Sequence, residues 1–201
     1  MKKTLLTIII LFLGTFSVSA QLYRYLDTQQ GLSSRRVIAV EKDQKGYMWF
    51  LTQEGVDRYN GKQFTNYILS DGNRPVLHFP NLSQLHIDNQ DDIWVTGKNG
   101  FIFKYNQMLD KYDLVMNFAD SLKTKRRLPL THTSIDRQNN LWLCTRNAQY
   151  IYRTDTKHVI KLETPIKEEV FYIEQAKGNR YFFGTRENVY VASLKGNRLV
   201  L

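Results

Sequence analysis

Apolar residues occur along this chain in short runs, and the runs fall into four groups that share one pattern. In each group a first run is followed by a short turn and then by an aromatic run. The first three groups place an Asp six residues ahead of a Trp, namely Asp43 and Trp49, Asp88 and Trp94, and Asp136 and Trp142. The runs are rich in β-branched and aromatic residues and are bounded by Gly, Asn and Asp, which predicts short strands. A helical solenoid would need amphipathic stretches of roughly ten residues or more, and we find none.

The aromatic residue recurs at the spacing of one β-propeller blade. With Phe182 as the fourth aromatic, the steps from Trp49 through Trp94 and Trp142 are 45, 48 and 40 residues, close to the period of about 40–45 for a four-stranded blade. The sequence therefore predicts an all-β fold: a partial β-propeller of about four blades, each with four antiparallel strands, in an open arc. The predicted blades cover residues 32–70, 79–117, 129–163 and 168–201. The four aromatic rings are predicted to fill the wedges between blades rather than to stack on sugars.

The first residues have the pattern of an export signal. Lys2 and Lys3 precede an apolar run over residues 5–13, and small residues follow at 18–20. This predicts a cleaved signal peptide over residues 1–20 and a periplasmic location; a retained membrane anchor is disfavoured because the apolar run is short. No later apolar run is long enough to span a membrane. Residues 22–25 are predicted to form the strand that closes a ring.

The net charge restricts the classes of binding partner, and the cysteine content indicates the role of the one thiol. The net charge is +9, but export argues against nucleic acid as the partner. An acidic polysaccharide or an anionic membrane surface fits the charge better than nucleic acid does, but a solvated basic face is the favoured explanation. The single cysteine, Cys144, lies in a strand-like run and is predicted to be a buried apolar side chain.

A search for catalytic and metal-binding motifs predicts no catalytic residue, no metal site and no cofactor. The four histidines have no metal-ligand spacing. The acidic stretch at residues 88–92 lacks the glycine and distal glutamate of a calcium loop and is predicted to be a hairpin turn. A sialidase-like propeller enzyme is the nearest catalytic alternative, but its Asp-box turns and arginine-triad motif are not found.

The beginning of the repeat region carries the most specific signal. Its motif residues are Tyr25-Leu26-Asp27, Gly31-Leu32-Ser33-Ser34, Val37, Asp43, Gly46-Tyr47-Met48-Trp49, Thr52, Gly55-Val56-Asp57-Arg58-Tyr59-Asn60-Gly61 and Phe64. They resemble the opening of the two-component regulator propeller family, the periplasmic sensor regions of hybrid two-component histidine kinases that control carbohydrate use. The resemblance implies an N-terminal portion of such a sensor, without its kinase or DNA-binding parts. The chain departs from the family pattern at Leu51, at residues 147–148 and at Phe182.

Candidate ligand-binding residues follow from propeller geometry, because propeller sites usually lie where the loops enter the inner strands. This places Arg35, Arg36, Asn81 and His132 near an axial mouth, and Arg126 and Arg127 in the connection before the third blade. The predicted function is recognition of an oligosaccharide, including an acidic one, without chemistry. The alternatives are a glycan-active propeller enzyme and a scaffold or adhesion propeller. Further propeller blades or self-association are predicted to cover the open ends of the arc.

Overall fold

The computed structural model describes residues 23–77, 82–124 and 128–201. It contains four separate antiparallel sheets of four strands each, which confirms the predicted all-β fold of an open propeller arc. Each sheet is one blade, numbered here in chain order. The predicted signal peptide lies outside the described residues.

The blades follow one another without crossovers between sheets. Blade 1 contains β1 (Val37–Lys42), β2 (Met48–Thr52), β3 (Val56–Tyr59) and β4 (Phe64–Tyr67), and a small hairpin of β5 (Leu69–Ser70) and β6 (Pro75–Leu77) follows it. Blade 2 contains β7 (Leu82–Ile87), β8 (Ile93–Gly97), β9 (Phe101–Asn106) and β10 (Lys111–Asn117). Blade 3 contains β11 (His132–Ile135), β12 (Leu141–Thr145), β13 (Ala148–Arg153) and β14 (His158–Lys161). Blade 4 contains β15 (Tyr172–Gln175), β16 (Arg180–Gly184), β17 (Val189–Lys195) and β18 (Arg198–Val200). The helical elements are a 3-10 turn (Thr28–Gln30) and α1 (Phe118–Ser121).

The first strand of every blade lies at the inner edge of the arc. There β1 contacts β7, β7 contacts β11, and β11 contacts β15. The sheets therefore fan outward from a common axis, as propeller blades do.

The constant Asp-to-Trp spacing has a direct structural cause. In the first blade Asp43 accepts a hydrogen bond from the Tyr47 backbone N–H at 2.8 Å and another from the Trp49 indole N–H at 2.8 Å. The same two bonds recur in the next two blades. Asp88 accepts from the Asp92 backbone N–H and the Trp94 indole N–H. Asp136 accepts from the Asn140 backbone N–H and the Trp142 indole N–H. The carboxylate thus closes the hairpin turn and satisfies the buried indole N–H, which would otherwise be costly to desolvate.

The tryptophans fill the wedges between blades, as predicted. Trp49 contacts Tyr105 of blade 2 with ring centroids 4.8 Å apart, and Trp142 contacts Tyr181 of blade 4 at 4.6 Å. Trp94 lies in the apolar cluster that joins blades 2 and 3. Each tryptophan therefore packs against the blade that follows its own.

The prediction that Phe182 is a core residue is wrong. Phe182 has the strand register of the tryptophans, since it pairs with Glu174 as Trp49 pairs with Glu41. Its side chain is nevertheless 40% exposed, because no sheet of the described part of the chain packs on that face of blade 4. The turn ahead of it is also changed: Ala176 takes the position of the aspartates, so the carboxylate and the indole are lost together.

The segments around the outer edge of blade 1 differ from a simple hairpin and a closing strand. The connection between β3 and β4 runs from Asn60 to Gln63, and the Asn60 side chain accepts hydrogen bonds from the Lys62 and Gln63 backbone N–H groups. Residues 23–25, expected to form a closing strand, contain no strand. Instead, Arg24 donates to the Gly61 carbonyl at 2.9 Å, so this segment lies against blade 1.

Candidate ligand-binding cleft

The inner strands of the four blades line a cleft of about 520 Å³ at the axis of the arc. All four blades contribute residues to it, and the described lining residues include no lysine or arginine. The lining residues are Ile38, Ala39, Glu41, Gln84, Leu85, His86, His132, Thr133, Ser134, Tyr172, Ile173 and Glu174. The cleft is thus built jointly by four copies of one strand position.

Inner strands present side chains to the axis because only part of each strand is covered by neighbouring sheets. Five of the six residues of β1 are exposed, whereas all five residues of β8 and all five of β12 are buried. The second strand of a blade has sheets on both faces, but the first strand borders the open axis. On β1, polar side chains are consequently tolerated with little desolvation penalty, whereas those of β11 are more deeply buried.

A hydrogen-bond network across blades 2 and 3 fixes part of the wall. The Gln84 side-chain oxygen accepts from the Thr133 backbone N–H at 2.5 Å and from the Thr133 hydroxyl at 2.9 Å. That hydroxyl is also 2.8 Å from His86 Nε2 and 2.7 Å from the Thr96 hydroxyl. These contacts join residues far apart in sequence and hold the Gln84 and His86 side chains in one arrangement.

His132 connects three blades. Its Nε2 accepts from the Ile173 backbone N–H at 3.2 Å, and its Nδ1 lies 3.2 Å from the Gln84 amide nitrogen. Burial lowers the pKa of His132 to about 4. The pKa of His86 is lowered to about 3, mainly because the ring is buried and to a smaller extent because His132 lies nearby. Both rings are therefore neutral at pH 7 and act as parts of the wall.

Blades 1 and 4 contribute accessible groups to the cleft. Tyr172 is 54% exposed, and its hydroxyl donates to Glu174 Oε2 at 3.2 Å. The neighbouring Glu174 carboxylate raises the pKa of the Tyr172 phenol. Partial burial raises the pKa of Glu41. An aromatic face beside carboxylate oxygens offers a stacking surface and hydrogen-bond acceptors to a ligand.

The residues predicted to bind ligand are only partly brought together. His132 lines the cleft, but its ring nitrogens face Ile173 and Gln84. Arg35 and Arg36 are exposed in the connection that enters β1. Asn81, Arg126 and Arg127 lie outside the described residues. The polar residues of the inner strands were not predicted as ligand-binding residues, although their position on the first strand of each repeat is a usable signal. These residues are Glu41, Gln84, His86, Tyr172 and Glu174.

A smaller cavity of about 170 Å³ lies between blades 1 and 2. Its arginine, Arg58, is held by Asp110 at 3.0 Å and lies over the rings of Tyr47 and Trp49. Asp110 also accepts from the Tyr67 hydroxyl at 2.6 Å. Since these groups satisfy one another, they lock the two blades together.

The described residues give no geometric basis for metal or thiol chemistry. Among them no group of three or more His, Cys, Asp or Glu side chains could hold a metal ion. Cys144 is fully buried, and burial raises the pKa of its thiol, as suits an apolar core residue. No helix in the described part of the chain is long and apolar enough to cross a membrane.

No protein-family model matches the chain, and no curated protein does. Solved structures match it well in fold. The extracellular domain of BT3049, a proposed hybrid two-component system of B. thetaiotaomicron, superposes with a TM-score of 0.68 at 20% identity, over 88% of this chain and 26% of that one. PorZ, a surface component of the type-IX secretion system of Porphyromonas gingivalis, gives 0.65 at 15% identity, over 88% of this chain and 23% of that one. Virginiamycin B lyase from Staphylococcus aureus superposes with a TM-score of 0.56 at 13% identity, over 83% of this chain and 59% of that one.

These likenesses confirm the predicted resemblance at the level of the fold. The chain shares its blade arrangement with the extracellular domain of a proposed two-component system, and it spans about a quarter of the length of that domain. The same architecture also occurs in a secretion component and in a lyase. Function therefore has to be argued from the cleft and not from the fold.

Proposed function

We propose that this chain forms part of an extracytoplasmic sensor module and binds an oligosaccharide in the axial cleft without transforming it. The observation that carries the proposal is the cleft itself, where inner strands from four blades bring an exposed tyrosine ring and several fixed hydrogen-bonding groups together. The shared fold with the BT3049 extracellular domain supports a sensor role. Location outside the cytoplasm is supported by that likeness and by the export pattern of residues 1–20.

The composition of the cleft favours a neutral saccharide over an acidic one. Two carboxylates, Glu41 and Glu174, lie in the lining, and no cation among the described lining residues balances them. An anionic sugar would meet like charge in a partly desolvated space. Sugar hydroxyls, in contrast, can donate to carboxylate and amide oxygens, while the Tyr172 ring covers an apolar sugar face.

Glycan hydrolysis is the second candidate, and one observation favours it. The Tyr172 hydroxyl donates a hydrogen bond to Glu174, and through this bond the carboxylate could accept the phenol proton. Sialidases use a tyrosine as their nucleophile. However, the described lining has no arginine to hold the carboxylate of a sialic acid. The cleft therefore supports binding better than this chemistry.

Titration calorimetry with matched neutral and acidic oligosaccharides tests the proposal. We expect heat of binding for a neutral member of the panel and no released sugar in the same solution. Tyr172→Ala should weaken binding by roughly tenfold through loss of stacking and of one hydrogen bond. Tyr23→Ala is the matched control, since that ring is 88% exposed and is not among the residues lining the cleft. If the double variant Tyr172→Ala/Glu41→Gln still binds the sugar, the cleft is not the binding site. If sugar is released, the protein is an enzyme and not only a binding module.

A further inference from the structure

The side chains that line the axial cleft include two rows, each with one residue from every blade. The members of a row pair with equivalent positions of the second strands, so they have the same register. The carboxylate row consists of Glu41, His86, Ser134 and Glu174. The amide row lies two residues earlier on each inner strand and consists of Ala39, Gln84, His132 and Tyr172. Both carboxylates of the cleft therefore lie in one row, and the Gln84 amide lies in the other.

Thr133 fixes the orientation of the Gln84 amide. The Gln84 Oε1 atom accepts from the Thr133 backbone N–H at 2.5 Å and from the Thr133 hydroxyl at 2.9 Å. If the amide were turned by half a rotation, its NH₂ group would face the Thr133 N–H, and a backbone donor would lose its acceptor. The Gln84 Nε2 group therefore faces His132, where it lies 3.2 Å from Nδ1.

His132 cannot accept a hydrogen bond from this amide. Its Nε2 already accepts from the Ile173 backbone N–H at 3.2 Å, and a backbone donor held in a strand cannot turn to another acceptor. Burial lowers the pKa of His132 to about 4, so the ring is neutral at pH 7 and carries its single proton on Nδ1. Two donors, His132 Nδ1–H and Gln84 Nε2–H, therefore face each other. Among the described residues, the Gln84 amide hydrogens have no acceptor.

We propose that Gln84 determines which sugar the cleft binds, by donating its amide N–H to the carbonyl oxygen of an acetamido group. The inference rests on the sugar-binding function proposed above and names the class of sugar as N-acetylated. An amide carbonyl accepts hydrogen bonds and donates none, so it matches a group that can only donate. A sugar hydroxyl in the same place would have to send its own hydrogen to another acceptor.

The surroundings of Gln84 suit an acetamido group. On the neighbouring inner strand β1, which contacts β7, the amide row has only the small side chain of Ala39, so space remains beside Gln84. At the other end of the row, the Tyr172 ring packs beside His132 with ring centroids 6.1 Å apart and offers an apolar face to a sugar ring. Glu41 and Glu174 of the carboxylate row can accept from sugar hydroxyls.

Titration calorimetry with matched trisaccharides tests the inference: N-acetylglucosamine against glucose, and N-acetylgalactosamine against galactose, each pair with the same linkage. We expect the acetamido member of at least one pair to bind at least about tenfold more tightly. Gln84→Glu should reduce this ratio to about one, because a carboxylate keeps both contacts with Thr133 and accepts from His132 Nδ1–H but has no N–H to donate. Gln63→Glu is the matched control, since it makes the same charge change at an exposed position outside the cleft lining.

The ratio of affinities separates this inference from the proposed function. Circular dichroism and thermal melts of both variants check that the fold is kept, and Gln84→Glu should melt no lower than the wild type. If the two members of each pair bind equally, or if Gln84→Glu leaves the acetamido preference unchanged, the inference is overturned while sugar binding stands. If none of the four neutral trisaccharides binds, the inference is overturned, and the proposed function fails as well when the wider neutral panel gives no heat.

Discussion

The two ends of the arc use the same sheet architecture but treat their outer faces differently. On blade 1 the buried Asp57 accepts hydrogen bonds from the Ser33 backbone N–H at 2.8 Å, the Ser33 hydroxyl at 2.7 Å and the Asn66 side chain at 2.6 Å. Asn66 also donates to the Gly31 carbonyl, and Arg24 lies over the Tyr59 ring. The segment before β1 thus caps the outer part of this face. Blade 4 has no comparable cap among the described residues.

The difference shows that a buried polar group restricts what can cover a sheet face more strongly than apolar side chains do. A buried carboxylate requires its donors in fixed positions, so the Asp57 face is specific for the chain's own N-terminal segment. The side chains around Phe182 include no buried carboxylate that would require donors in fixed positions. The blade 1 face is closed by hydrogen bonds within the chain, and no sheet of the described residues covers the face around Phe182.

The largest expected effect is the difference in stability loss between alanine variants of Trp142 and Phe182, two aromatic residues with equivalent strand registers. Trp142→Ala should lower the free energy of unfolding by about 3–5 kcal/mol, because it empties the wedge between blades 3 and 4 and leaves Asp136 without the indole donor. Phe182→Ala, measured at a concentration where the chain is monomeric, should cost less than about 1 kcal/mol. Urea denaturation of both variants measures the difference. Equal losses would contradict the view that only a neighbouring sheet makes this position a core position.

Removal of the carboxylate beneath the blade 1 cap should have the next largest effect. Asp57→Ala leaves Ser33 and Asn66 with unpaired donors and should cost about 2–3 kcal/mol. Hydrogen exchange of the Ser33 amide should accelerate at the same time. Asp155→Ala, at an exposed turn, is the matched control and should change neither quantity measurably. A stable Asp57→Ala variant with a protected Ser33 amide would show that the cap does not depend on this carboxylate.

Acid should loosen the blade 4 end through His132. The folded chain keeps this ring neutral down to about pH 4, whereas the unfolded chain binds a proton near the ordinary pKa of 6.5. Unfolding therefore takes up a proton between these values, so the stability is complete above pH 6.5 and declines as the pH falls toward 4, by up to about 1.4 kcal/mol per pH unit.

Denaturation curves between pH 7 and 4.5 test this effect. His132→Gln should reduce the decline without abolishing it, because burial also lowers the pKa of His86. The amide of Ile173, which donates to His132, should lose exchange protection in acid. An unaltered slope in His132→Gln would assign the pH dependence to other groups.

The smallest effect concerns the edge of the cap. Arg24→Ala removes the contact with the Tyr59 ring at 5.7 Å and the hydrogen bond to Gly61. Because the site is exposed, the free energy of unfolding should fall by less than about 1 kcal/mol. Proteolysis of the segment before β1 should become faster, with Arg35→Ala as the control. A loss as large as that of Asp57→Ala would mean that Arg24, and not the carboxylate, carries the cap.

The sequence predicted the blades far better than the cleft. Hairpin signals and the Asp–Trp pair are local, and they indicated strands and turns that the structure contains. The cleft depends on contacts such as those of Gln84 with Thr133 and of His132 with Ile173, which join different blades. The arginines were chosen by their place in a loop, but it was the inner-strand side chains that the fold brought together.

Repetition in the sequence by itself predicted the four blades that the described residues form. In the first three of them the aspartate turn closes on its own tryptophan within six residues. Only the tertiary structure decided which copies of a position are buried, because burial depends on whether another sheet lies against that face. Trp142 and Phe182 have equivalent registers, and the neighbouring blade alone makes one a core residue and leaves the other exposed.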